Sequence, residues 1–281
     1  MKELKSTVSG YPDGKRIYEY LKFDMKLSSS LIKKVKYGGV LINGSAVTMR
    51  ASVHNGDEIT VSLPAEASPN IAPKPFPLDI IYEDEHFIAV NKPKNMPTHP
   101  SRGNHLPTLA EALCAYFLPE PFVFRSINRL DRDTSGIVLV AKDQMSADLL
   151  SRVMKSGGFL KKYDAVVCGV PCPAEGLIDA PIGRIEEGNI KRTVTDSGKR
   201  AVTEYRTLRT IDDKATLVEL TLHTGRTHQI RVHMAYIGNP LVDDFLYGER
   251  GEDSYRLHAK SLTFLNPFTE KEQTTECPSG F

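Results

Sequence analysis

Two arginines and two aspartates fall within five positions, Arg129 to Asp133, in the stretch FRSINRLDRDTSGIVLV, residues 124–140, just ahead of an apolar run. A carboxylate carried into a pocket serves as nucleophile or general base when a cation keeps it ionised; at the surface it is an ordinary charged turn. A second phrase, TLHTGRTHQIRVHMAYIGNPLVDD, residues 221–244, gathers histidine, arginine and threonine around a glycine turn. Its spacing predicts a strand through Leu222, a turn at Thr224-Gly225 and a helix from near Thr227 to Ile237. On that helix Thr227 and Arg231 are four apart, as are Gln229 and His233, while Ile230 and Met234 face a core. Such residues suit a polar cleft or an anion-binding surface.

Other chemistries fit less well. His223, His228 and His233 are five residues apart, which is neither a strand face nor the i,i+4 helix face of paired metal ligands. A zinc hydrolase would also need a carboxylate to activate water. Cys168 and Cys172 in CGVPC have three residues between them, and no second close pair completes a zinc site, so these two, Cys114 and Cys277 read as structural thiols. The chain lacks G-x-G-x-x-G after its first strand, G-x-x-x-x-G-K-S/T anywhere, G-x-S-x-G around Ser135-Gly136, and the H-x-E and P-C-x-x-C pair of nucleic-acid deaminases. No cofactor and no metal are therefore expected.

The elements that must position these groups divide in two. Residues 16–33 place Ile17, Leu21 and Met25 on one helical face, and Ser28 to Ser30 offer a cap for a second short helix through Ile32 and Val35. Lys33, Lys34 and Lys36 occupy that helix's other face, where they suit phosphates. Short β-prone runs follow, punctuated by Asn43-Gly44 and Asn55-Gly56. The division expected is a small α/β domain over 1–62, a Pro/Ala/Ser-rich linker over 63–77 and a larger body over 78–281. In the body, LDIIYEDEHFIAVNKP reads as a hairpin, Thr108 to Phe117 as a helix, Gly136 to Ala141 as a buried strand and Met145 to Met154 as a helix. KKYDAVVCG, AVTEYRTLRT and ATLVELTLH read as further strands. Hairpins without regular intervening helices predict an α+β body: a mixed, largely antiparallel sheet flanked by helices. With 281 residues, 40% hydrophobic and 25% charged at net charge +1, the chain is a globular protein of ordinary balance. It has neither a signal-peptide core nor about 18 continuous apolar residues, so a cytoplasmic protein without membrane association is expected.

Two resemblances sharpen this reading. SSSLIKKVKYGGVLINGSAV followed by VHNGDEITV resembles the small RNA-binding module of a small-subunit ribosomal protein. VNKPKNMPTHP, NRLDRDTSGIVLVAKD, KKYDAVVCG, PIGR, HTGRTHQIRVHMAYIGNPLVDD and LHAKSLTFLNPFT, in that order, resemble the successive motifs of the RluA-type pseudouridine synthases. The second resemblance implies a cofactor-free isomerase acting on uridines of structured RNA. It makes Asp131 the nucleophile, Tyr163 the active-site tyrosine and Arg231 the cation paired with Asp131. Arg129 then fills the space left by a flipped nucleotide or touches its phosphate. Arg226, Thr227, His228 and Gln229 contribute site architecture and RNA contacts, and Lys92, Lys161 and Lys162 contact phosphates. The position before R-L-D is often histidine in this family; here it is Asn128, which supplies a hydrogen bond but no comparable protonation. The appended module favours large-subunit ribosomal RNA over transfer RNA, with monomeric action as the default. The competing reading is a noncatalytic RNA-binding or RNA-chaperone protein with an enzyme-like body.

Overall fold

The computed structural model describes residues 2–12, 14–64, 71–101, 106–186, 189–212, 214–251 and 253–281. Apolar spacing builds the N-terminal part. Ile17, Tyr20 and Leu21 line one face of α1 (Ile17–Phe23), and Leu31, Ile32 and Val35 line α2 (Ser29–Val35). Ser28 Oγ accepts the Leu31 N–H at 3.2 Å and so caps α2. Both helices share a core with β1 (Lys2–Thr7), β2 (Val40–Ile42) and β4 (Glu58–Leu63), and with the exposed β3 (Ser45–Ala46) these strands form a sheet in the order β1-β4-β2-β3. Asn43 and Gly44, at φ 49° and 78°, supply the left-handed pair that closes the two-residue turn between β2 and β3. β1 was not legible in the sequence: KELKST is polar because it is an edge strand, paired along its length with β4.

The body is built on one large sheet. Its strands are β5 (Asp79–Glu83), β6 (Phe87–Lys92), β7 (Arg125–Ser126), β8 (Ser135–Ala141), β9 (Phe159–Cys168) and β10 (Glu175–Asp179). After a separate two-stranded ribbon of β11 (Ile182–Arg184) and β12 (Arg192–Val194), the sheet continues with β13 (Val202–Asp212), β14 (Ala215–Leu222), β15 (Leu257–Leu265) and β16 (Glu272–Glu276). The order is β10-β13-β14-β9-β15-β8-β6-β5, with β16 beside β15 and β7 beside β8. The pairing of β8 with β15 is parallel and the other ladders are antiparallel, so the expected mixed, largely antiparallel α+β body is the one that forms. Helices α3 (Leu109–Tyr116), α4 (Gln144–Lys155) and α5 (Gln229–Tyr236) accompany it.

The unbroken apolar run of β8 follows from burial on both faces: Val138 and Val140 enter one core, and Ile137, Leu139 and Ala141 enter another. Gly136 stands at φ +107°, and a Cβ there would lie 2.3 Å from the Ala259 carbonyl oxygen, so only glycine lets β8 and β15 meet. That junction fixes the chain immediately after Asp131.

The join between the two parts differs from a free tether. Leu63 belongs to β4 and its core, and residues 65–70 of the expected linker lie outside the described residues. From Ile71 onward the chain runs along the body. Ile71 and Leu78 pack against its core, and Lys74 pairs with Glu111 of α3 at 2.6 Å. The N-terminal part also touches α4: Met145 packs against its core, and the Gln144 amide bonds Ser30 and Lys34. No helix among the described residues is long and apolar enough to cross a membrane.

Candidate active site

Asp131 lies in the segment between β7 and β8, and its neighbours are individually tied down. Asn128 donates from Nδ2 to the Ile137 carbonyl at 2.9 Å and accepts the Leu139 N–H at 2.8 Å, so its amide docks the segment onto β8. Thr98 Oγ1 donates to the Leu130 carbonyl at 2.9 Å, and Arg132 forks onto Asp133 at 2.9 and 2.8 Å. Lys92 closes the arrangement from below. Its ammonium group donates to the carbonyls of Pro93, Met96 and Arg132 at 2.9, 2.8 and 3.1 Å. With its neighbours fixed in this way, the Asp131 carboxylate, about one third exposed, faces the cleft.

Arg231, on α5, is the cation beside it. One guanidinium nitrogen, Nη1, stands 3.6 Å from Asp131 Oδ2, while Nε and Nη2 both donate to Asp244 at 2.7 Å. Asp244 has no solvent exposure and Arg231 only 4%. The rings of Tyr255 and Tyr247 flank the guanidinium carbon, with centroids at 4.4 and 5.0 Å. Burial opposes the charge, but the hydrogen bonds that Arg231 donates to Asp244, then Tyr255 and the two aspartates, raise its pKa further. Arg231 is therefore a permanent positive charge. Two of its donor positions are committed to structure and one edge is turned to Asp131.

His228 adopts a left-handed conformation, φ +57°, and for that reason α5 starts at Gln229 instead of near Thr227. Its Nδ1 lies 2.8 Å from the Tyr247 hydroxyl and its Nε2 lies 3.8 Å from Asp131 Oδ2. Burial pushes its pKa down despite Asp131, which favours the neutral ring. Tyr163, on β9, lines the same cleft almost wholly buried. Burial, followed by the charge of Asp131, drives its phenol well above the usual value, so it holds its proton at neutral pH.

These groups surround a cleft of about 320 Å³ in which Asp131, Tyr163 and Arg231 meet Asn128, Arg226 and Thr227. Arg129 and Lys161 line it as well. The Lys161 ammonium is half-buried, with its pKa lowered first by burial and then by Arg226.

Three expected RNA contacts take other positions. Lys92 is fully buried with its three donors on carbonyls, and burial lowers its pKa to about 8, so it is an internal clamp out of reach of a phosphate. Lys162 faces the opposite side of the sheet, because neighbours on a strand alternate, and stands 3.9 Å from Glu219. The Gln229 amide is spent on Val202, Thr203, Thr224 and the Arg226 N–H, which fixes the turn and leaves nothing for a base. Lys33 and Lys34 of α2 and Lys36 at its C-terminal cap are exposed, and Lys34 also donates to Gln144. The three spaced histidines also go separate ways: His223 to Glu204, His228 to Tyr247, and His233 to Thr203 and Ala180.

Sequence reasoning missed Asp244, Tyr247 and Tyr255. Asp244 ended a phrase already singled out, but nothing distinguishes it there from its neighbour Asp243.

A mixed sheet thus brings a carboxylate, a locked arginine and a buried tyrosine around one cleft. Residues 86–236, just over half the chain, match the RNA pseudouridylate synthase family, and the chain belongs to it as an RluA-type RNA pseudouridine synthase, an isomerase. The uncharacterised RNA pseudouridine synthase YjbO of Bacillus subtilis is 40% identical over 262 residues, covering 91% of this chain and 92% of the relative. The ribosomal large subunit pseudouridine synthase D of Vibrio cholerae is 34% identical over 297 residues, covering 98% and 91%. Among solved structures, human RNA pseudouridylate synthase domain containing 1 superposes with a TM-score of 0.63 at 28% identity, covering 73% of this chain and 84% of that one.

Proposed function

We propose that this pseudouridine synthase acts on large-subunit ribosomal RNA, in the cytoplasm and as a monomer, with Asp131 as its nucleophile. The observation that carries the role of Asp131 is its place 3.6 Å from an arginine whose charge Asp244 makes permanent. The printed name of the Vibrio cholerae relative supports the choice of RNA. The N-terminal sheet and helices, with Lys33 exposed on α2 and Lys36 at its C-terminal cap, serve to hold the structured RNA from which the uridine is withdrawn.

In the reaction the N1–C1′ bond of uridine breaks, the uracil turns, a C5–C1′ bond forms, the C5 proton leaves and N1 ends protonated. Asp131 either bonds to C1′ directly or takes the C2′ proton to give a glycal; both courses use the carboxylate form, beside which Arg231 Nη1 stands at 3.6 Å. Withdrawing the uridine costs a few kcal/mol of stacking and pairing. Arg129 offsets part of that cost by entering the vacated space or holding the phosphate. Tyr163 presents its ring to the base, and its hydroxyl relays the C5 proton, accepting it as its own proton passes to solvent.

Mapping pseudouridines across the total RNA of a strain lacking the gene tests the choice of substrate: sites should vanish from large-subunit ribosomal RNA, and losses confined to transfer RNA would reject it. Tyr163→Phe keeps the buried ring and removes the hydroxyl. Its expected result is a fall in kcat of about 10²- to 10⁴-fold, the usual range for general acid–base groups, with KM little changed. Wild-type release of tritium from [5-³H]uridine RNA by this variant would remove the hydroxyl from the mechanism.

A further inference from the structure

The cleft containing Tyr163 adjoins a second one. It measures about 1020 Å³ and shares Arg129, Asp131, His228 and Arg231 with the first, so the two concavities meet at the nucleophile. Its outer wall is different, formed by Phe245, Leu246, Ile190 and the ring of His99. Phe245 is 53% exposed and Ile190 66%, an open apolar surface beside a charged site.

Phe245 is open to solvent but held on a rigid turn. The Asp244 carboxylate accepts the N–H groups of Leu246 and Tyr247 at 3.1 and 3.3 Å, and the Asp244 carbonyl accepts that of Gly248 at 2.7 Å. The same carboxylate clamps Arg231, which faces Asp131. A single buried residue therefore sets the backbone of Phe245 relative to the reacting centre.

The chemistry of the substrate says what belongs there. A uridine inside an RNA chain brings its neighbours with it, each one phosphate away. Arg129 is exposed and lines both clefts, which suits a guanidinium placed on the phosphate between two nucleotides. An exposed ring on a fixed turn suits the base beyond that phosphate, since every base offers a π-face.

We propose that the second cleft is a subsite for the nucleotide adjacent to the target uridine, with Phe245 as the stacking surface for its base. Ile190 closes the apolar wall, and recognition of the sequence around the target resides partly in this subsite. The inference rests on the RNA activity of the enzyme and not on which RNA it modifies.

The test uses a synthetic stem-loop around a uridine that the enzyme modifies, made intact, abasic one position 5′ and abasic one position 3′. For the wild type, loss of the base on one side is expected to lower kcat/KM about fivefold to a hundredfold, the range for one base–aromatic stack. Phe245→Ala should show a similar loss on the intact RNA and no further loss on that abasic form, while Phe245→Tyr behaves as the wild type. Ile190→Ala should give a smaller deficit of the same pattern. A wild type indifferent to both abasic forms, or a Phe245→Ala enzyme as sensitive as the wild type, overturns the subsite. Thermal unfolding of each variant checks the fold, and turnover of the intact stem-loop reports separately on the activity.

Discussion

Asp131→Asn is expected to abolish pseudouridine formation while leaving RNA binding intact. Asparagine preserves the shape and a hydrogen-bonding oxygen near Arg231 but cannot supply a carboxylate to C1′ or C2′. Loss of a nucleophile that works as part of a unit costs on the order of 10⁴- to 10⁶-fold in kcat. The fold should tolerate the change. Asp131 is partly exposed, and Arg231 keeps its bidentate bond to Asp244, so the stability difference should stay within about 1 kcal/mol. Tritium release from [5-³H]uridine RNA and filter binding of the same RNA separate the two effects. Turnover within a hundredfold of the wild type would remove Asp131 from the nucleophile's role.

The second large effect concerns a residue that touches no substrate. Asp244→Ala leaves the buried Arg231 guanidinium without its bidentate partner and leaves the Leu246 N–H without its acceptor. Breaking one half of a buried pair costs about 3–5 kcal/mol, a large share of the stability of an ordinary domain. Equilibrium unfolding in urea should show that loss. Activity should fall with it even where the variant is still folded, because Arg231 is then free to swing onto Asp131 or away from it. Replacing both partners, Arg231→Met with Asp244→Leu, should recover much of the stability and none of the activity, since an apolar pair of similar volume needs no charge compensation. A single variant within 1 kcal/mol of the wild type would show that the arginine finds another partner, and that Asp244 does not position it.

Much of this architecture was legible in advance where local chemistry dictates it. Ser28 announced the start of α2, Asn43-Gly44 announced a two-residue hairpin, and the apolar run after Ser135 announced a strand buried on both faces. Each depends on residues a few positions apart. β1 escaped because an edge strand needs only a neighbour and no apolar face of its own. The start of α5 was misplaced by two residues because His228 takes a left-handed turn more often reserved for glycine or asparagine, held there by its tertiary contact with Tyr247.

The site divides along the same line. Order and residue type singled out Asp131, Tyr163 and Arg231, and the structure brings them to one cleft. Lys92 and Lys162 show where residue type misleads. Each is a lysine near a motif, yet one is sealed against three carbonyls and the other lies across the sheet. Asn128 stood out as a departure from the family pattern, and its amide proves to be a splice to β8.

The sequence by itself determined the local elements, the chemistry available and the family, because these follow from residue types at short spacing and from the order of motifs along the chain. Tertiary structure alone decided that Asp244 holds Arg231, that Tyr247 and Tyr255 enclose it, and that two clefts meet at Asp131. Those groups come from α5, the turn after it, the segment leading into β15 and the segment before β8. A charge is fixed or free according to what the fold packs around it, and that packing joins residues that lie on different elements, from Asp131 before β8 to Tyr255 near the C-terminal strands.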